Sequence, residues 1–298
     1  MSAIRDGSDF SRRTRLGHRL IWPIRCGLGV TAPWEFAFTE MASRRRGTPQ
    51  VHRYRLRGSG LTLHLRQPWW DIWVFDEIFR RRIYRLPEPA LQALRDLGRP
   101  IDIVDLGGHV GMASLSFLES FPDASITAFE PEPDNARLLR ETIVANGRGE
   151  SWQLVEACAG THEDTVEFVQ GTGAMSHVGA PAGGEPLGTV PPEARSAAEF
   201  PDLGGSSTRL PMKDVFPYLE RVDLLKIDIE GGEWDLLADP RFADVPARAL
   251  VLEFHAFFGP EDPAGKIVRI LERAGYEVGP FIEPRPELGE GELWAWRT

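Results

Sequence analysis

The segment 101–117, IDIVDLGGHVGMASLSF, constrains the fold more than any other stretch of the chain. It begins as a short apolar run, reaches a glycine-rich turn at Gly107, Gly108 and Gly111, and continues with residues suited to a helix. An apolar run that ends at such a turn is typical of a buried strand. The pattern therefore predicts a strand, a turn and a helix, a unit whose backbone N–H groups can cradle a nucleotide.

The position of the nearest acid distinguishes between two classes of nucleotide. Asp105 precedes the glycines in the order D-x-G-G-x-x-G, whereas a dinucleotide site usually has G-x-G-x-x-G with its acid about 20 residues later. An acid in front of the glycines favours a ligand that carries a cation there, such as the ammonium group of S-adenosylmethionine. The missing G-x-G-x-x-G argues against an alternative, an NAD-dependent enzyme of similar fold.

A second strand and helix follow in residues 125–146, SITAFEPEPDNARLLRETIVAN. The strand is predicted to end at Glu130, and the helix after it to begin with Asp134 as its N-cap. An ionised carboxylate only accepts hydrogen bonds, so Glu130 could bind both hydroxyls of a ribose. This second unit strengthens the prediction of a nucleotide site, to which the adjacent Pro131 would also belong.

Four segments resemble the FkbM-type S-adenosylmethionine-dependent methyltransferases: VDLGGHVG, FEPEPDNARLL, VDLLKIDIEGGEWDLL and LVLEFH. The resemblance covers roughly residues 70–280, and the chain departs from the family pattern at Gly108 and His109, where Ala and Asn are frequent. It implies a class I methyltransferase fold, which is Rossmann-like α/β with a seven-stranded, mostly parallel sheet and helices on both faces. Many members are O-methyltransferases that act on sugars, polyketides or other secondary metabolites. The first 60 residues match no family pattern.

Two domains are predicted, a basic extension at residues 1–85 and the methyltransferase domain at 86–298. The extension should contain one or two short helices broken at Pro23 and Pro33, and then a hairpin at 51–66 around a G-S-G turn. Residues 69–84 have apolar side chains at helical spacing and predict an amphipathic helix. In the family this region caps the cofactor, which would bring Tyr84 to the methionine end.

The charge of the chain is divided unevenly between these two parts. Residues 1–85 contain 17 arginines and 7 acids, whereas the remainder contains 17 basic residues and 37 acids. The basic extension could dock on its own acidic domain or on that of a neighbour, which would give a homodimer through the extension. The alternative is an RNA methyltransferase that uses the basic arm. The arm lacks the interleaved aromatics of an RNA-binding sheet, which argues against nucleic acid as a partner.

Several features predict a cytoplasmic protein that does not enter a membrane. Cys26 and Cys158 are far apart and have no metal-ligand spacing, as expected in a reducing compartment. Arg19, Pro23 and Arg25 interrupt the first apolar stretch before it reaches the length of a signal peptide. No later stretch approaches the roughly 20 apolar residues of a membrane helix.

The remaining strands should bring further functional groups to one edge of the sheet, because ligands gather at the carboxyl ends of parallel strands. A third strand at 151–160 would carry Ala157 and Cys158 to the adenine. A fourth at 222–229 and a fifth at 250–254 would end near Asp228 and His255. The Gly-, Ala- and Pro-rich segment 171–206 could be a lid over the acceptor or a disordered loop.

Methyl transfer to oxygen requires in-line alignment of the reactants and removal of a proton. Asp228 is suited to the proton by its position and His255 by its chemistry, so these two are the predicted catalytic residues. No metal ligand is predicted, although Mg²⁺ held by Asp228, Glu230 and Glu253 would be compatible with the sequence. The acceptor is expected to be a small hydroxylated metabolite. The predicted cofactor site comprises Tyr84, Asp105, Gly107, Gly108, His109, Gly111, Glu130, Pro131, Ala157, Cys158 and Asp228.

Overall fold

The computed structural model describes residues 21–68, 70–170, 177–178, 206–255, 262–285 and 290–298. The chain divides into two compact units, Met1–Arg82 and Ile83–Thr298, which are described separately. The predicted functional division at residues 85 and 86 stays a prediction. Within the described residues, no helix combines the length and apolarity that a membrane crossing requires.

The first unit contains helices followed by a two-stranded ribbon. Residues 21–27 are helical, so the predicted break at Pro23 is wrong, and helix α1, Pro33–Arg46, begins at the predicted proline. Proline suits the first turn of a helix because its missing N–H would have no intrahelical partner there. Strands β1, Gln50–Arg55, and β2, Thr62–Gln67, pair antiparallel and confirm the predicted hairpin.

The predicted amphipathic helix consists of two parts. Helix α2, Trp70–Phe75, continues as a π-helical turn, Asp76–Arg81, that ends at Arg82 with a left-handed φ of 60°. The predicted apolar face is buried at Ile72, Phe75 and Ile78. The wider turn allows two arginines, Arg80 and Arg81, to pair with the same carboxylate of Asp76.

The second unit contains the larger sheet. Its helices are α3 (Glu88–Arg95), α4 (Met112–Ser120), α5 (Pro133–Ala145), α6 (Phe216–Leu219), α7 (Glu233–Ala238) and α8 (Pro263–Arg273), with a 3₁₀ turn at Pro240–Asp244. Its strands are β3 (Asp102–Leu106), β4 (Ser125–Phe129), β5 (Trp152–Val155), β6 (Cys158–Gly160), β7 (Asp164–Gln170), β8 (His177–Val178), β9 (Ser206–Asp214), β10 (Leu224–Ile227), β11 (Ala249–His255), β12 (Glu277–Arg285) and β13 (Glu290–Trp296).

Seven of these strands form one sheet in the order β12-β13-β11-β10-β3-β4-β5. Strand β13 runs antiparallel to both of its neighbours, and the pairs from β11 to β5 are parallel. The predicted seven-stranded, mostly parallel sheet is therefore confirmed. All four residues of β10 are buried, as expected for a central strand covered on both faces.

A smaller sheet in the order β6-β9-β7-β8 lies outside the predicted pattern. The predicted third strand at 151–160 is wrong as a single element, since β5 ends at Val155 and Cys158 begins β6. Strand β6 leaves the main sheet because it pairs with β9. Strand β9 runs to Asp214, and the helix that follows it, α6, is a single short turn.

Two further expectations concern a helix cap and the long loop. Helix α5 is capped by Glu132, whose carboxylate accepts a hydrogen bond from the Asn135 N–H at 2.6 Å, so the assignment of Asp134 as N-cap is wrong. Most of the segment 171–206 lies outside the described residues, and His177–Val178 pair there with β7. The lid remains a prediction.

Candidate active site

The predicted site residues are placed by the carboxyl ends of adjacent parallel strands. Strand β3 pairs with β4 on one side and with β10 on the other, and β10 pairs with β11. The glycine turn follows β3, Glu130 follows β4, Asp228 follows β10, and His255 closes β11. These groups therefore lie along one edge of the sheet, where ligands bind in open α/β folds.

The glycines of the turn are required by contacts within the protein itself. Gly107 has a φ of +87°, and a Cβ atom there would lie 1.9 Å from the carbonyl oxygen of Asp228. Gly111 has a φ of +93°, and its Cβ would lie 2.8 Å from Leu139. At Gly108 the corresponding distance to Leu139 is 3.1 Å. Close packing of neighbouring segments thus explains these residues, in addition to the predicted approach of a ligand.

Asp105 has a fully buried carboxylate whose partners are protein groups. Its Oδ2 accepts a hydrogen bond from the Ser114 hydroxyl at 2.6 Å, and its Oδ1 lies 3.3 Å from Nζ of Lys226. The sequence predicted that the cation of a bound ligand lies next to this acid. The cation in the structure is the ammonium group of Lys226, and a contact of Asp105 with the cofactor stays a prediction.

Lys226 connects β10, β3 and the glycine turn. Its buried Nζ also lies 3.3 Å from Oδ2 of Asp228, and it donates to the carbonyl oxygens of Leu106 at 3.2 Å and Gly107 at 2.5 Å. Burial lowers the pKa of Lys226, but Asp228 and Asp105 outweigh burial and raise that pKa above its usual range. The side chain is thus a fixed cation that pairs with neighbouring carboxylates.

Glu130 is buried and holds the loops on both sides of it. Its Oε2 accepts from the N–H of His109 at 2.7 Å, and its Oε1 accepts from the N–H of Glu132 at 2.9 Å and from Nδ2 of Asn135 at 3.3 Å. Burial raises the pKa of Glu130, while these donors counteract the rise. A carboxylate offers about four acceptor sites, so the predicted ribose contact is compatible with these bonds.

His109 adopts a left-handed φ of 48° inside the glycine turn, where its N–H is fixed by Glu130. Pro131 is half-buried directly after Glu130, and Ala157 is fully buried. Cys158 is a free, buried cysteine, and burial raises its pKa to about 12. Its thiol is therefore neutral and packs as a small side chain. The predicted contact of Ala157 and Cys158 with the adenine stays a prediction.

Tyr84 lies buried in acidic surroundings. Its hydroxyl is 3.5 Å from Oδ2 of Asp228, and its ring packs 5.9 Å from that of Phe117. Burial raises the pKa of Tyr84 well above 10, and the charges of Asp228 and Glu253 raise it further. The phenol is consequently neutral, and its hydroxyl donates to Asp228. The predicted contact with the methionine end of a cofactor stays a prediction.

His255 lies between two carboxylates. Its Nδ1 is 3.2 Å from Oε1 of Glu233, and its Nε2 is 3.4 Å from Oε2 of Glu230. Burial alone lowers the pKa of His255, but the two carboxylates outweigh burial and raise that pKa well above its ordinary value. A raised pKa favours the imidazolium form, which has no lone pair to accept a proton, so these surroundings favour Asp228 over His255 as the general base. The predicted catalytic role of His255 stays a prediction.

Glu233 was not predicted from the sequence and is a central residue of this edge. Its fully buried carboxylate accepts hydrogen bonds from the N–H groups of Ile229 at 2.9 Å and Gly231 at 2.8 Å. These bonds hold the turn in which Glu230 has a φ of +52°. The acid that follows two glycines in I-E-G-G-E could have indicated such a capping role.

The residues that could hold a metal ion also differ from those considered in the sequence. Asp228, Glu233 and His255 each offer a ligand atom, and these atoms lie within 4.8 Å of one another. The ligands that the sequence analysis considered for Mg²⁺ were Asp228, Glu230 and Glu253. The difference arises because Glu233, at the start of α7, turns back to the end of β11.

Comparisons with known proteins agree with this architecture. A curated relative, Methyltransferase 1 of Beauveria bassiana (strain ARSEF 2860), is 29% identical over 142 residues, which cover 45% of this chain and 56% of the relative. The chain thus spans little more than half of that relative's length.

Solved structures of methyltransferases are similar at lower identity. A SAM-dependent methyltransferase from Agrobacterium tumefaciens is 13% identical with a TM-score of 0.43, covering 83% of this chain and 70% of that one. Precorrin-6y C5,15-methyltransferase from Geobacter metallireducens GS-15 is 16% identical with a TM-score of 0.36, covering 70% of this chain and 86% of that one. Similarity at this level shows neither a shared substrate nor a shared mechanism.

The family comparison is the most extensive of the three. A family model described as "Methyltransferase FkbM domain" matches residues 105–278, which include the glycine turn, Glu130, Asp228 and His255. The seven-stranded, mostly parallel sheet is the one that the family resemblance predicted. Since the matched segment exceeds half of the 298 residues, the chain belongs to the FkbM family of methyltransferases.

Proposed function

We propose that the protein transfers the methyl group of S-adenosylmethionine to a hydroxyl group of a small hydroxylated metabolite. The observation that carries the proposal is the position of Asp228 at the carboxyl edge of the sheet. Its side chain is 24% exposed, it follows a central strand, and its backbone touches the glycine turn at Gly107. A carboxylate at this place can contact both a ligand in the turn and an acceptor beside it.

The charge of the edge supports a cationic cofactor. Asp105, Glu130, Asp228, Glu230 and Glu253 all lie at or near the ends of its strands. The sulfonium and ammonium groups of S-adenosylmethionine are attracted by such surroundings, whereas the pyrophosphate of a dinucleotide is repelled. This distinction favours methyl transfer over hydride transfer on a fold that could otherwise serve both.

Asp228 is the proposed general base. Among the described residues, Lys226 and Tyr84 both contact its Oδ2, at 3.3 and 3.5 Å, which leaves Oδ1 open to the acceptor hydroxyl. The sulfonium is already a strong electrophile, so the remaining tasks are in-line alignment and removal of one proton. In this proposal the acceptor hydroxyl donates to Oδ1, and Asp228 takes its proton as the methyl group is transferred.

His255 has a positioning role in this mechanism. As an imidazolium it would draw Glu230 and Glu233 together and hold the turn that follows Asp228. The same histidine would lose that role if a metal ion replaced its proton.

The proposal is tested by calorimetry with S-adenosylmethionine, followed by turnover on a panel of hydroxylated metabolites. We expect Asp228→Asn to lower kcat by about 10²- to 10⁴-fold, the usual range for loss of a general base, with little change in cofactor affinity. The matched control is Asp134→Asn, which makes the same change on an exposed helical position. Loss of cofactor binding in proportion to the loss of rate would show that Asp228 is a cofactor ligand instead.

RNA methylation is a second candidate, supported by the excess of arginine in residues 1–85. It predicts RNA binding whose affinity falls steeply with salt, because each neutralised phosphate releases counterions. Replacement of Arg44, Arg45 and Arg46 at the end of α1 by Gln should then reduce the salt dependence. Binding that is absent at low salt would exclude this candidate. Dimerisation through the extension and a cytoplasmic location stay predictions.

A further inference from the structure

Asp228, Glu233 and His255 bring three different ligand atoms to one point. They come from three elements, namely the loop after β10, the first turn of α7 and the last residue of β11, and the atoms lie within 4.8 Å of one another. Donors that share one metal ion at about 2.1 Å lie up to about 4.2 Å apart. A small side-chain rotation therefore closes the set around a single ion.

The set is also held in place by the surrounding backbone. Glu233 is fixed by the N–H groups of Ile229 and Gly231, at 2.9 and 2.8 Å. Asp228 is fixed through Oδ2 by Lys226, while its Oδ1 forms no hydrogen bond or ion pair with the described part of the chain. Supporting hydrogen bonds of this kind are usual around metal ligands, because they orient the donor atoms before the ion arrives.

Further carboxylates lie beside the three donors. Glu230 lies 3.4 Å from Nε2 of His255, so it adds a carboxylate directly beside the three donors. Glu253 lies on the same strand as His255, β11, and is paired with Glu292 of β13.

The site is open on one side. The side chains of Asp228 and Glu230 are 24% and 21% exposed, whereas Glu233 is fully buried and His255 nearly so. An ion bound by the two buried donors and Asp228 would therefore keep a position accessible to water or to a ligand. Such an open position distinguishes catalytic metal sites from closed structural ones.

We propose that Asp228, Glu233 and His255 form a site for one divalent transition-metal ion, with Glu230 as an outer carboxylate. One imidazole nitrogen among carboxylate oxygens suits Mn²⁺, Fe²⁺ or Zn²⁺ better than Mg²⁺ or Ca²⁺, which prefer oxygen donors throughout. This inference builds on the proposed function but changes one step of it. The bound ion would take the acceptor hydroxyl as a further ligand and lower its pKa, Asp228 would be a ligand of the ion rather than the general base, and the released proton would pass to the outer carboxylate of Glu230.

Mn²⁺ binding to the full chain, without cofactor or acceptor, tests the site. We expect one Mn²⁺ per chain by electron paramagnetic resonance and calorimetry, and at least tenfold weaker binding in His255→Gln and in Asp228→Asn. The matched control is His162→Gln, because His162 also lies near a carboxylate, 3.7 Å from Asp164, but is exposed. Its affinity for Mn²⁺ should equal that of the wild type.

The outcomes separate this inference from methyl transfer. Absence of Mn²⁺ binding, or equal binding by wild type and by His255→Gln, overturns the metal site. The proposed function would still be tested separately, by cofactor binding and by turnover. Circular dichroism establishes that each variant is folded. Should His255→Gln fail to fold, the partly exposed Asp228→Asn decides the question, since its unchanged affinity would equally overturn the proposal.

Discussion

A Cβ atom on Gly107 would lie 1.9 Å from the carbonyl oxygen of Asp228, so the two backbones are in contact without room for any side chain. The contact joins the ends of two central strands, β3 and β10, and it places Asp228 beside the glycine turn. A glycine is thus required here by the packing of the protein, whether or not a ligand is bound. In the proposed mechanism, the same contact would fix the distance between a cofactor in the glycine turn and Asp228.

Substitution of Gly107 tests this contact. Gly147 has a similar left-handed φ of +65° but nothing within 4 Å of its position, so Gly147→Ala isolates the cost of the backbone conformation, about 1 to 2 kcal/mol. Gly107→Ala adds a collision with backbone, and we expect a further loss of roughly 1 to 3 kcal/mol or more. Thermal unfolding of both variants gives the comparison. Equal losses would mean that the two strand ends can separate at little cost.

Loss of the buried cation should destabilise the protein strongly. In Lys226→Met the buried carboxylate of Asp105 loses its charged partner, which typically costs about 3 to 5 kcal/mol. The control is Arg137→Met, since the exposed pair of Arg137 with Glu141 should contribute less than about 1 kcal/mol. Denaturant unfolding measures both. Partial recovery is expected when Asp105→Asn is added to Lys226→Met, because the unpaired charge is then removed.

The contribution of Lys226 to the stability of the protein depends on pH in a defined direction. Asp228 and Asp105 raise the pKa of Lys226 in the folded state, so its contribution is complete below the pKa of an unfolded lysine, about 10.4. It is lost only as the pH rises through the higher, folded value. The stability difference between wild type and Lys226→Met should therefore stay constant from about pH 6 to 9. A decline within that range would show that Lys226 is not held as a cation.

The main sheet could be predicted from the sequence because its strands are apolar runs that end at glycines or acids. The segments around Asp105, Glu130 and Asp228 carry that pattern, and each forms the predicted strand. The strand at Cys158 could not be separated from its predecessor, since partners distant in sequence decide which sheet it joins. The π-helical turn after α2 was not predicted, because the spacing of its apolar residues is that of an ordinary helix.

The site was predicted by residue type but not by contact. The sequence identified His255 and Asp228, yet it could not show that Glu230 and Glu233 would enclose the histidine and raise its pKa. Glu233 itself appeared to be an ordinary acid at the start of a helix. Its role depends on a turn with left-handed residues at Glu230 and Gly231, which only the folded backbone reveals.

A ligand comparison can separate ribose binding by Glu130 from its role in holding loops. In Glu130→Gln an amide replaces an oxygen that accepts from His109 or Glu132, so the loops should be perturbed as well. Calorimetry with S-adenosylmethionine and with an analogue lacking both ribose hydroxyls distinguishes the two effects. We expect the wild type to prefer the natural cofactor by about 1.5 to 3 kcal/mol, and the variant to lose this preference. An unchanged preference would assign the ribose to another residue.

The two cysteines should be unreactive in the folded protein. Both are free and buried, and burial raises the pKa of Cys158 to about 12, so only about one thiol in ten thousand is ionised at pH 8. Alkylation followed by mass spectrometry should show no modification over minutes in buffer and two modified residues in denaturant. Rapid native labelling of Cys158 would contradict its role as a packing residue.

Removal of the Tyr84 hydroxyl should affect catalysis more than folding. The phenol donates to Oδ2 of Asp228 at 3.5 Å, while the ring packs against Phe117, and Tyr84→Phe retains the ring. The lost hydrogen bond is long, so we expect a stability change within about 1 kcal/mol. Asp228 would then be held by Lys226 alone, and kcat should fall by about tenfold or less, because its carboxylate would be less well oriented towards the acceptor.

Tyr54→Phe is a suitable control, since it removes a buried phenol, with a 2.6 Å bond to Gln67, from the other unit. Its turnover should match the wild type. A loss of cofactor affinity in Tyr84→Phe, with kcat unchanged, would instead assign Tyr84 to the cofactor.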